Sequence, residues 1–348
     1  MSSSTNNTRP HRLMRLDLWV NARRERRARK HGKVPVIVPS ISYGGKGWVR
    51  LLGRTLLMSP TDRKFSSQDP APFAAGQVRG WRSFTSVSAP KETVTVYNEG
   101  TEVARIATDT GGVLDAHISI DLPAGWHHIT LETSSGDRAE SPVFIVDAAE
   151  TFGVVSDVDD TILNTVLPQP FVAAWNSFVR SEYARLATPG MPGLLDRIRR
   201  AHLASPIIYL STGAWNVAPA LIRFMHRHLC PRGPLLLTDW GPTHDRFFRS
   251  GRKHKETELR RLAQEFPDVK WLLIGDDGQH DEEIYLAFTQ EHPESVAAVA
   301  IRQLTPGEAM LAGGRSKAEK HHAVSGVPWV YGGDGGNLYH QLKQINIL

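Results

Sequence analysis

The pattern of apolar and polar positions divides the chain into two halves. From Val34 to Asp147, short extended segments recur, and apolar and polar residues alternate between Ala116 and Leu122. Turn signals such as Gly111-Gly112 separate these segments at a spacing of roughly ten residues. This pattern predicts a small antiparallel β-sandwich or barrel. After Asp147 strand-like apolar runs alternate with helical periodicity, which predicts a doubly wound parallel α/β sheet.

The α/β half begins with the apolar run Gly153–Val155 and contains four further predicted strands, I-I-Y-L, P-L-L-L-T, V-K-W-L-L-I-G and V-A-A-V-A-I-R. Residues 60–90 are predicted to form a long loop, and the tail from Gly313 is predicted to be irregular. The predicted helices are 171–186, 194–202, 217–229, 255–266 and 282–290. The predicted units are a basic segment 1–33, a β-rich domain 34–148, an α/β domain 149–312 and a C-terminal extension 313–348.

Three of the predicted strands end in reactive side chains. Asp157, Asp159 and Asp160 follow the first, Ser211 and Thr212 end the second, and Asp276 and Asp277 end a later one. Carboxylates are not tolerated inside a buried strand, so they belong at the carboxyl edge of the sheet, where ligands bind. Strand alternation would point Asp157 and Asp159 to one side, where their repulsion needs a divalent cation or a shared proton. The alternative is a turn or helix cap rich in aspartate.

The order of these groups resembles that of the haloacid dehalogenase-like phosphohydrolases: D-x-D-x-T, a strand-end Ser or Thr, a lysine, and G-D-x-x-x-x-D. The sequences of the motifs resemble more closely those of the phosphatidate phosphatases of the actin-patch-protein type and their bacterial relatives. These motifs are S-D-V-D-D-T-I (156–162), L-S-T-G-A-W-N (210–216), H-K-E-T (254–257) and L-I-G-D-D-G-Q-H-D-E-E-I-Y (273–285). Gly213-Ala214 departs from the family's serine-proline pattern. The resemblance covers 150–305 well and 30–148 loosely, and it implies a Rossmannoid parallel sheet with a small cap.

The resemblance also implies roles for the residues. Asp157 would be the nucleophile that forms an aspartyl phosphate, and Asp159 the acid and base. Mg²⁺ would be held by the Asp157 carboxylate, the Asp159 backbone carbonyl and Asp276. Ser211 and Lys255 would contact the phosphoryl group, with Thr212 and Lys253 as competitors for these roles. The remaining residues are expected to support the site. Thr161 would cap the turn after Asp157, and Asp281 would anchor the metal's ligands or orient Lys255. Asp160 and Asp277 would contact the ligands without binding the metal.

The reaction implied is Mg²⁺-dependent hydrolysis of phosphatidate to diacylglycerol and phosphate at a membrane surface. The stretch between the first two motifs is too short for a large cap, which leaves the site open to a bulky substrate. One alternative is a phosphatase for a soluble or protein-borne phosphomonoester. The other is a non-catalytic binding module, against which the intact Asp157, Asp159 and Asp276 argue.

Charge is concentrated at the N-terminus of the 348-residue chain. Residues 9–33 hold ten Lys or Arg against two acidic residues, a net +8, which leaves −3 for the rest of the overall +5. A helix over 11–31, with Leu13, Leu16 and Val20 on one face, is expected to dock on the next domain or to meet an anionic membrane surface. Nucleic acid is the less favoured partner.

The composition of the chain indicates the cellular compartment in which the protein is expected. No apolar run is long enough for a transmembrane helix, and the first residues have no hydrophobic signal core. The single cysteine, Cys230, is expected at a helix end in the core and fits a reducing compartment. These features predict a cytoplasmic protein; peripheral contact with a membrane is one of the alternatives for the basic segment.

Overall fold

The computed structural model describes residues 22–59, 87–164, 186–238, 244–278, 280–305, 307 and 326–348, with the backbone alone for 244–250. The strands are β1 Val34–Pro39, β2 Ser42–Gly45, β3 Trp48–Met58, β4 Val87–Ser88, β5 Thr93–Asn98, β6 Thr101–Ala107, β7 Val113–Ser119, β8 Gly125–Thr133, β9 Arg138–Ile145, β10 Phe152–Asp157, β11 Ile207–Ala214, β12 Leu235–Thr238, β13 Lys270–Asp276, β14 Val296–Arg302 and β15 Trp329–Gly332. The helices are α1 22–30, α2 Met191–Ala201, α3 Ala218–Arg227, α4 His244–Glu265, α5 Asp281–Glu291 and α6 Gly335–Gln344.

Strands β1 to β9 pair into one nine-stranded sheet, mostly antiparallel. The long strand β3 is its hub, because it pairs with β1, β2, β4 and β7 along its two edges. Alternate residues such as Val94 and Val96 are fully buried and pack with Leu51 and Ile129 in an apolar cluster of this sheet. The region 34–148 is therefore β-rich, while its division into a sandwich or barrel stays a prediction.

Strands β10 to β15 form a six-stranded parallel sheet in the order β12-β11-β10-β13-β14-β15. Helices α2, α3, α4 and α5 lie in the connections between successive strands from β10 to β14, as in a doubly wound sheet. Val154 and Val155 of the central strand β10 are fully buried. The predicted mixed α/β architecture with a parallel sheet is confirmed.

The tail from Gly313 is not wholly irregular, and this expectation was wrong for residues 329–344. Strand β15 adds to the sheet beside β14, and α6 packs with buried Leu338 and Leu342. Asp334 caps α6 by accepting a hydrogen bond from the backbone N–H of Asn337 at 2.8 Å. A strand of only four residues, followed by a glycine-rich turn, is too short to produce a periodic signal.

Two other expectations differ in extent from the structure. Helix α4 begins at His244, well before the predicted start at Lys255, because the polar residues of its first turns gave no apolar periodicity. Of the predicted basic helix 11–31, residues 22–30 are helical and the remainder lies outside the described residues. The predicted helix 171–186 and loop 60–90 also fall almost entirely outside them.

Helix α4 contacts both sheets. Phe266, which follows it, packs against Tyr43 of β2 and Trp48 of β3, with ring centroids 6.0 and 5.4 Å apart. On the other side, Leu259 and Leu262 are buried in the core that includes the parallel sheet. The β-rich region and the α/β region therefore meet along this helix.

Candidate active site

Three neighbouring parallel strands bring their polar ends to one edge. Because β10 lies between β11 and β13, the ends of these strands place Asp157, Ser211 and Asp276 close together. Each of the three side chains is at most 1% exposed. These three side chains cluster at the carboxyl edge of the sheet, as predicted.

Lys255 enters this cluster from α4. Its ammonium group donates to Asp157 Oδ1 at 2.6 Å and to Asp281 Oδ1 at 2.5 Å. Burial acts to lower the pKa of Lys255, but the two carboxylates outweigh it and hold that pKa well above its ordinary value. Lys253, the competing lysine, is exposed. Lys255 is thus the lysine at the site.

Asp159 takes a different hydrogen-bond partner from Asp157, although strand alternation predicts that the two carboxylates point to one side. Its Oδ2 accepts a hydrogen bond from Ser211 Oγ at 2.8 Å, whereas Asp157 faces Lys255. Asp159 lies beyond the end of β10, and the next residue, Asp160, has a left-handed backbone (φ 57°), so strand alternation no longer applies there. Thr212 is only half-buried, which leaves Ser211 as the hydroxyl facing the aspartates.

Burial strongly affects the acidity of this site. Desolvation raises the pKa of Asp157 and of Asp276 well above the ordinary range of a carboxyl group. Desolvation also raises the pKa of Asp159, which the hydrogen bond from Ser211 limits to about 6. Lys255 alone therefore does not offset the cost of ionising all of these buried carboxyl groups.

The arrangement of oxygens fits a divalent cation. Asp157, Asp276 and Asp281 each offer a carboxylate oxygen, and these oxygens lie within 4.8 Å of one another. Asp157 Oδ2 and Asp281 Oδ2 are buried and have no hydrogen-bond partner among the described residues. Hard cations prefer such carboxylate oxygens. Asp281, expected on the metal shell or on Lys255, accepts a hydrogen bond from Lys255 and also offers an oxygen to the candidate ligand group.

Supporting residues fix the loops around the cluster. Thr161 Oγ1 lies 3.5 Å from Asp276 Oδ2, and the backbone N–H of Gly278 donates to Asp276 Oδ1 at 2.7 Å. Asp277 Oδ1 accepts from the backbone N–H of Leu304 at 2.8 Å. Asp277 therefore holds the end of β14 rather than facing the cluster with both oxygens.

Arg302 was missed in the sequence. It is 3% exposed at the end of β14, and its guanidinium donates to the backbone carbonyl of Asp160 at 2.5 Å. This contact ties the loop after β10 to β14. The signal was a charged residue ending the otherwise apolar run V-A-A-V-A-I-R.

Cys230 lies away from this cluster, in a groove of about 360 Å³ that it shares with Trp126 and Leu235. Burial raises the pKa of its thiol to about 12. No helix among the described residues is long and apolar enough to span a membrane.

Comparison with known proteins supports the motif assignment. Residues 152–303 match the family described as "Phosphatidate phosphatase APP1, catalytic domain". The chain is 24% identical over 200 residues to phosphatidate phosphatase APP1 of Saccharomyces cerevisiae, a match that covers 56% of this chain and 34% of that protein. An uncharacterized protein of Schizosaccharomyces pombe is 25% identical over 183 residues, covering 51% and 29% respectively. The chain spans about a third of the length of the relatives it matches.

Among solved structures, the HAD domain of effector protein Lem4 from Legionella pneumophila aligns with a TM-score of 0.30 and 18% identity, over 45% of this chain and 88% of that one. A carbohydrate acetylesterase from Xanthomonas citri aligns at 0.27 with 10% identity, over 80% and 73%. Scores this low carry no argument about function. Residues 152–303, which match the family, contain all four motifs and the buried cluster that these motifs form. Residues 152–303 are therefore similar to the catalytic domain of the APP1-type phosphatidate phosphatases.

Proposed function

We propose that the protein hydrolyses phosphatidate to diacylglycerol and phosphate in a Mg²⁺-dependent reaction on a haloacid dehalogenase-like domain with a small cap. The observation that carries this proposal is the buried cluster in which Lys255 bonds Asp157 while Asp157 Oδ2 has no hydrogen-bond partner among the described residues. A buried carboxylate with an unbonded oxygen beside a cation suits attack on a phosphoryl group. The family match to an APP1 catalytic domain supplies the lipid substrate class.

Asp157 is the proposed nucleophile. Its oxygen attacks phosphorus in line, so that an aspartyl phosphate forms while the bond from phosphorus to the glycerol oxygen breaks. Asp159 gives its proton to that leaving oxygen, which departs as the hydroxyl of diacylglycerol. In the second step Asp159 takes a proton from water as the water attacks phosphorus, which releases phosphate and restores the Asp157 carboxylate.

The remaining groups of the cluster balance charge. Lys255, which bonds Asp157, would offset negative charge on the phosphoryl oxygens. Ser211 would turn its hydroxyl hydrogen from Asp159 to these oxygens when the substrate is bound. Mg²⁺ would be held by carboxylate oxygens of Asp157, Asp276 and Asp281 with the Asp159 backbone carbonyl. When bound, it would neutralise charge as the phosphoryl group is transferred.

The basic segment 9–33 is the proposed contact with an anionic membrane. Its net +8 is set against −3 for the rest of the chain. Arg23, Arg24 and Arg26 lie in the part of the segment that the structure describes, at the start of α1. Such clusters gain about 1 kcal/mol per basic residue near an anionic lipid surface.

The direct test is phosphate release from phosphatidate in mixed micelles with and without Mg²⁺. The Asp157→Asn variant keeps the shape of the side chain and is expected to lose the release. Asp268→Asn changes an exposed aspartate and serves as the matched control, which should retain wild-type activity.

Two outcomes would redirect the proposal. Hydrolysis of a water-soluble aryl phosphate that depends on Asp157, without hydrolysis of phosphatidate, would keep the chemistry and replace the lipid by a soluble phosphomonoester. Absence of hydrolysis of both substrates by the well-folded wild-type protein would reject the phosphatase function.

A further inference from the structure

A buried arginine of the β-rich region also binds the helix that supplies Lys255. Arg50 lies on β3 and is 1% exposed. It meets Glu258, which follows Lys255 on α4 by three residues and therefore lies on a neighbouring part of the same helix face. The partners are 208 residues apart in the chain.

The guanidinium of Arg50 uses all of its donors. Nη1 donates to Glu258 Oε2 at 2.7 Å and to the Tyr43 hydroxyl at 2.8 Å. Nη2 donates to Glu258 Oε1 at 3.3 Å and to Asp115 Oδ2 at 2.7 Å, and Nε donates to Asp115 Oδ1 at 2.7 Å. Five N–H groups directed at three partners fix the orientation of a planar group.

A second contact repeats the attachment two turns further along α4. The hydroxyl of Tyr43, which accepts from Arg50, donates to Glu265 Oε2 at 2.7 Å. Glu258 and Glu265 are seven residues apart, so both lie on the face of α4 that meets the β-rich region. Two points of attachment set both the rotation of the helix about its axis and its position along that axis.

The catalytic consequence follows from the short bonds of Lys255. Its ammonium group is fitted between Asp157 Oδ1 and Asp281 Oδ1 at 2.6 and 2.5 Å, so a small rotation of α4 would break one of them. Glu258 is 4% exposed, and its ion pair with Arg261 Nη1 is longer, at 3.6 Å. Without Arg50 the buried charge of Glu258 would be poorly balanced and would compete for Lys255 one turn away.

We propose that Arg50 is a positioning residue for the reaction: by binding Glu258 it sets the placement of Lys255 on α4, which makes the β-rich region part of the active site. The inference rests on the proposed phosphatase function. Arg50 itself contacts neither Asp157 nor Lys255 in any hydrogen bond or ion pair recorded among the described residues.

The test compares Arg50→Met, Arg50→Lys and the double variant Arg50→Met/Glu258→Gln in the full-length protein. Arg50→Met is expected to lower kcat about 10- to 100-fold with KM changed by about twofold or less, as for a displaced catalytic group. Arg50→Lys should recover part of kcat, because it restores the charge without the planar fork. In the double variant, Glu258→Gln removes the carboxylate charge that Arg50→Met leaves without its arginine. The kcat of the double variant should therefore be higher than that of Arg50→Met.

A matched variant separates positioning from general destabilisation. Ile129→Ala truncates a fully buried side chain in the apolar cluster of the β-rich sheet, which contains no residue of α4. At a similar loss of melting temperature, this variant should keep a kcat within about twofold of wild type. An Arg50→Met protein that is folded and has wild-type kcat would overturn the proposal. Equal kcat losses in Arg50→Met and Ile129→Ala would also overturn it, as would a double variant no more active than Arg50→Met.

Hydrogen exchange tests the anchor without reference to activity. Arg50→Met should speed amide exchange across residues 251–262 of α4 more than Ile129→Ala does. A wild-type protein inactive on all phosphate esters would reject the proposed function, while this exchange result still decides whether Arg50 anchors α4. Unchanged exchange in α4 would refute the anchor even in an active phosphatase.

Discussion

At the scale of the residue, Asp159 has the acidity suited to its proposed double role. Its pKa of about 6 keeps a proton available below that pH, and the proton is lost as the pH rises through this value. We therefore predict that kcat/KM for a phosphate ester with a poor leaving group falls as the pH rises above about 6.

The pH profile of Asp159→Asn gives the check. This variant should lose about 10²- to 10⁴-fold in rate and should lack the fall above pH 6 that wild type shows. An Asp159→Asn variant that keeps the same fall in kcat/KM above pH 6 would contradict the role of Asp159 as the acid.

The two lysines of the H-K-E-T region offer a matched pair of substitutions. Lys255→Met removes the cation bonded to Asp157 and Asp281 and leaves both carboxylates buried without it, so we expect activity to fall at least about 100-fold. Lys253→Met alters an exposed side chain and should leave the activity within about twofold. Steady-state kinetics of the two folded variants measures the difference, and equal activities would place the phosphate-contacting cation elsewhere.

The sequence identified several residues of the candidate site but not the partners that these residues contact. The strand-end motifs pointed to Asp157, Asp276 and Lys255 because carboxylates cannot lie inside a buried strand. The motif could not show that Asp159 turns to Ser211, since this depends on the turn at Asp160. Arg302 stands out as a charged residue at the end of an apolar run, but its partner could not be predicted because that partner is a backbone carbonyl.

At the scale of the element, α6 shows how closely the C-terminal segment is fitted to the α/β region. A Cβ on Gly335 would lie 2.2 Å from the carbonyl group of Gly190, the residue before α2. The N–H of Gly335 also donates to the carbonyl of Pro189 at 3.0 Å. We predict that Gly335→Ala lowers the free energy of unfolding by about 1–3 kcal/mol, because backbone would have to move.

Gly333→Ala provides the control, since a Cβ there would meet nothing within 4 Å. Urea denaturation of both variants should show a lower midpoint for Gly335→Ala alone. Matching midpoints would mean that α6 can shift away from α2 without cost.

Strands that are continuous apolar runs were predictable from sequence, including the four-residue β12, whereas the mixed sequence of β15 was not. Strands β10, β13 and β14 are continuous apolar runs in the core and were predicted at nearly their observed bounds. Strand β15 has four residues, two of them buried, and only its pairing with β14 defines it as a strand. The attachment of Arg50 to α4 joins residues too distant in sequence for any periodic pattern to reveal.

At the scale of the whole molecule, the buried carboxylates link stability to pH and metal. The folded state raises the pKa of Asp157 and Asp276 above the values expected when unfolded, so the metal-free folded protein binds protons more tightly. Their contribution to stability is therefore complete at low pH and is lost as the pH rises through the folded-state pKa values.

We accordingly predict that Mg²⁺ raises the melting temperature more at pH 8 than at pH 5, because only ionised carboxylates hold the cation strongly. Thermal unfolding with Mg²⁺ or with a chelator, at both pH values, measures this. The Asp276→Asn variant should show a smaller Mg²⁺ effect at pH 8. A Mg²⁺ effect that is equal at both pH values would argue against binding by this cluster.

The isolation of Cys230 has a consequence for regulation by oxidants. Only the thiolate reacts readily with peroxide or alkylating reagents, and a thiol with a pKa of about 12 forms almost none of it at neutral pH. The chain has no other cysteine, and the proposed nucleophile is a carboxylate. The proposed phosphate release should therefore continue under oxidative conditions that inactivate phosphatases with a cysteine nucleophile.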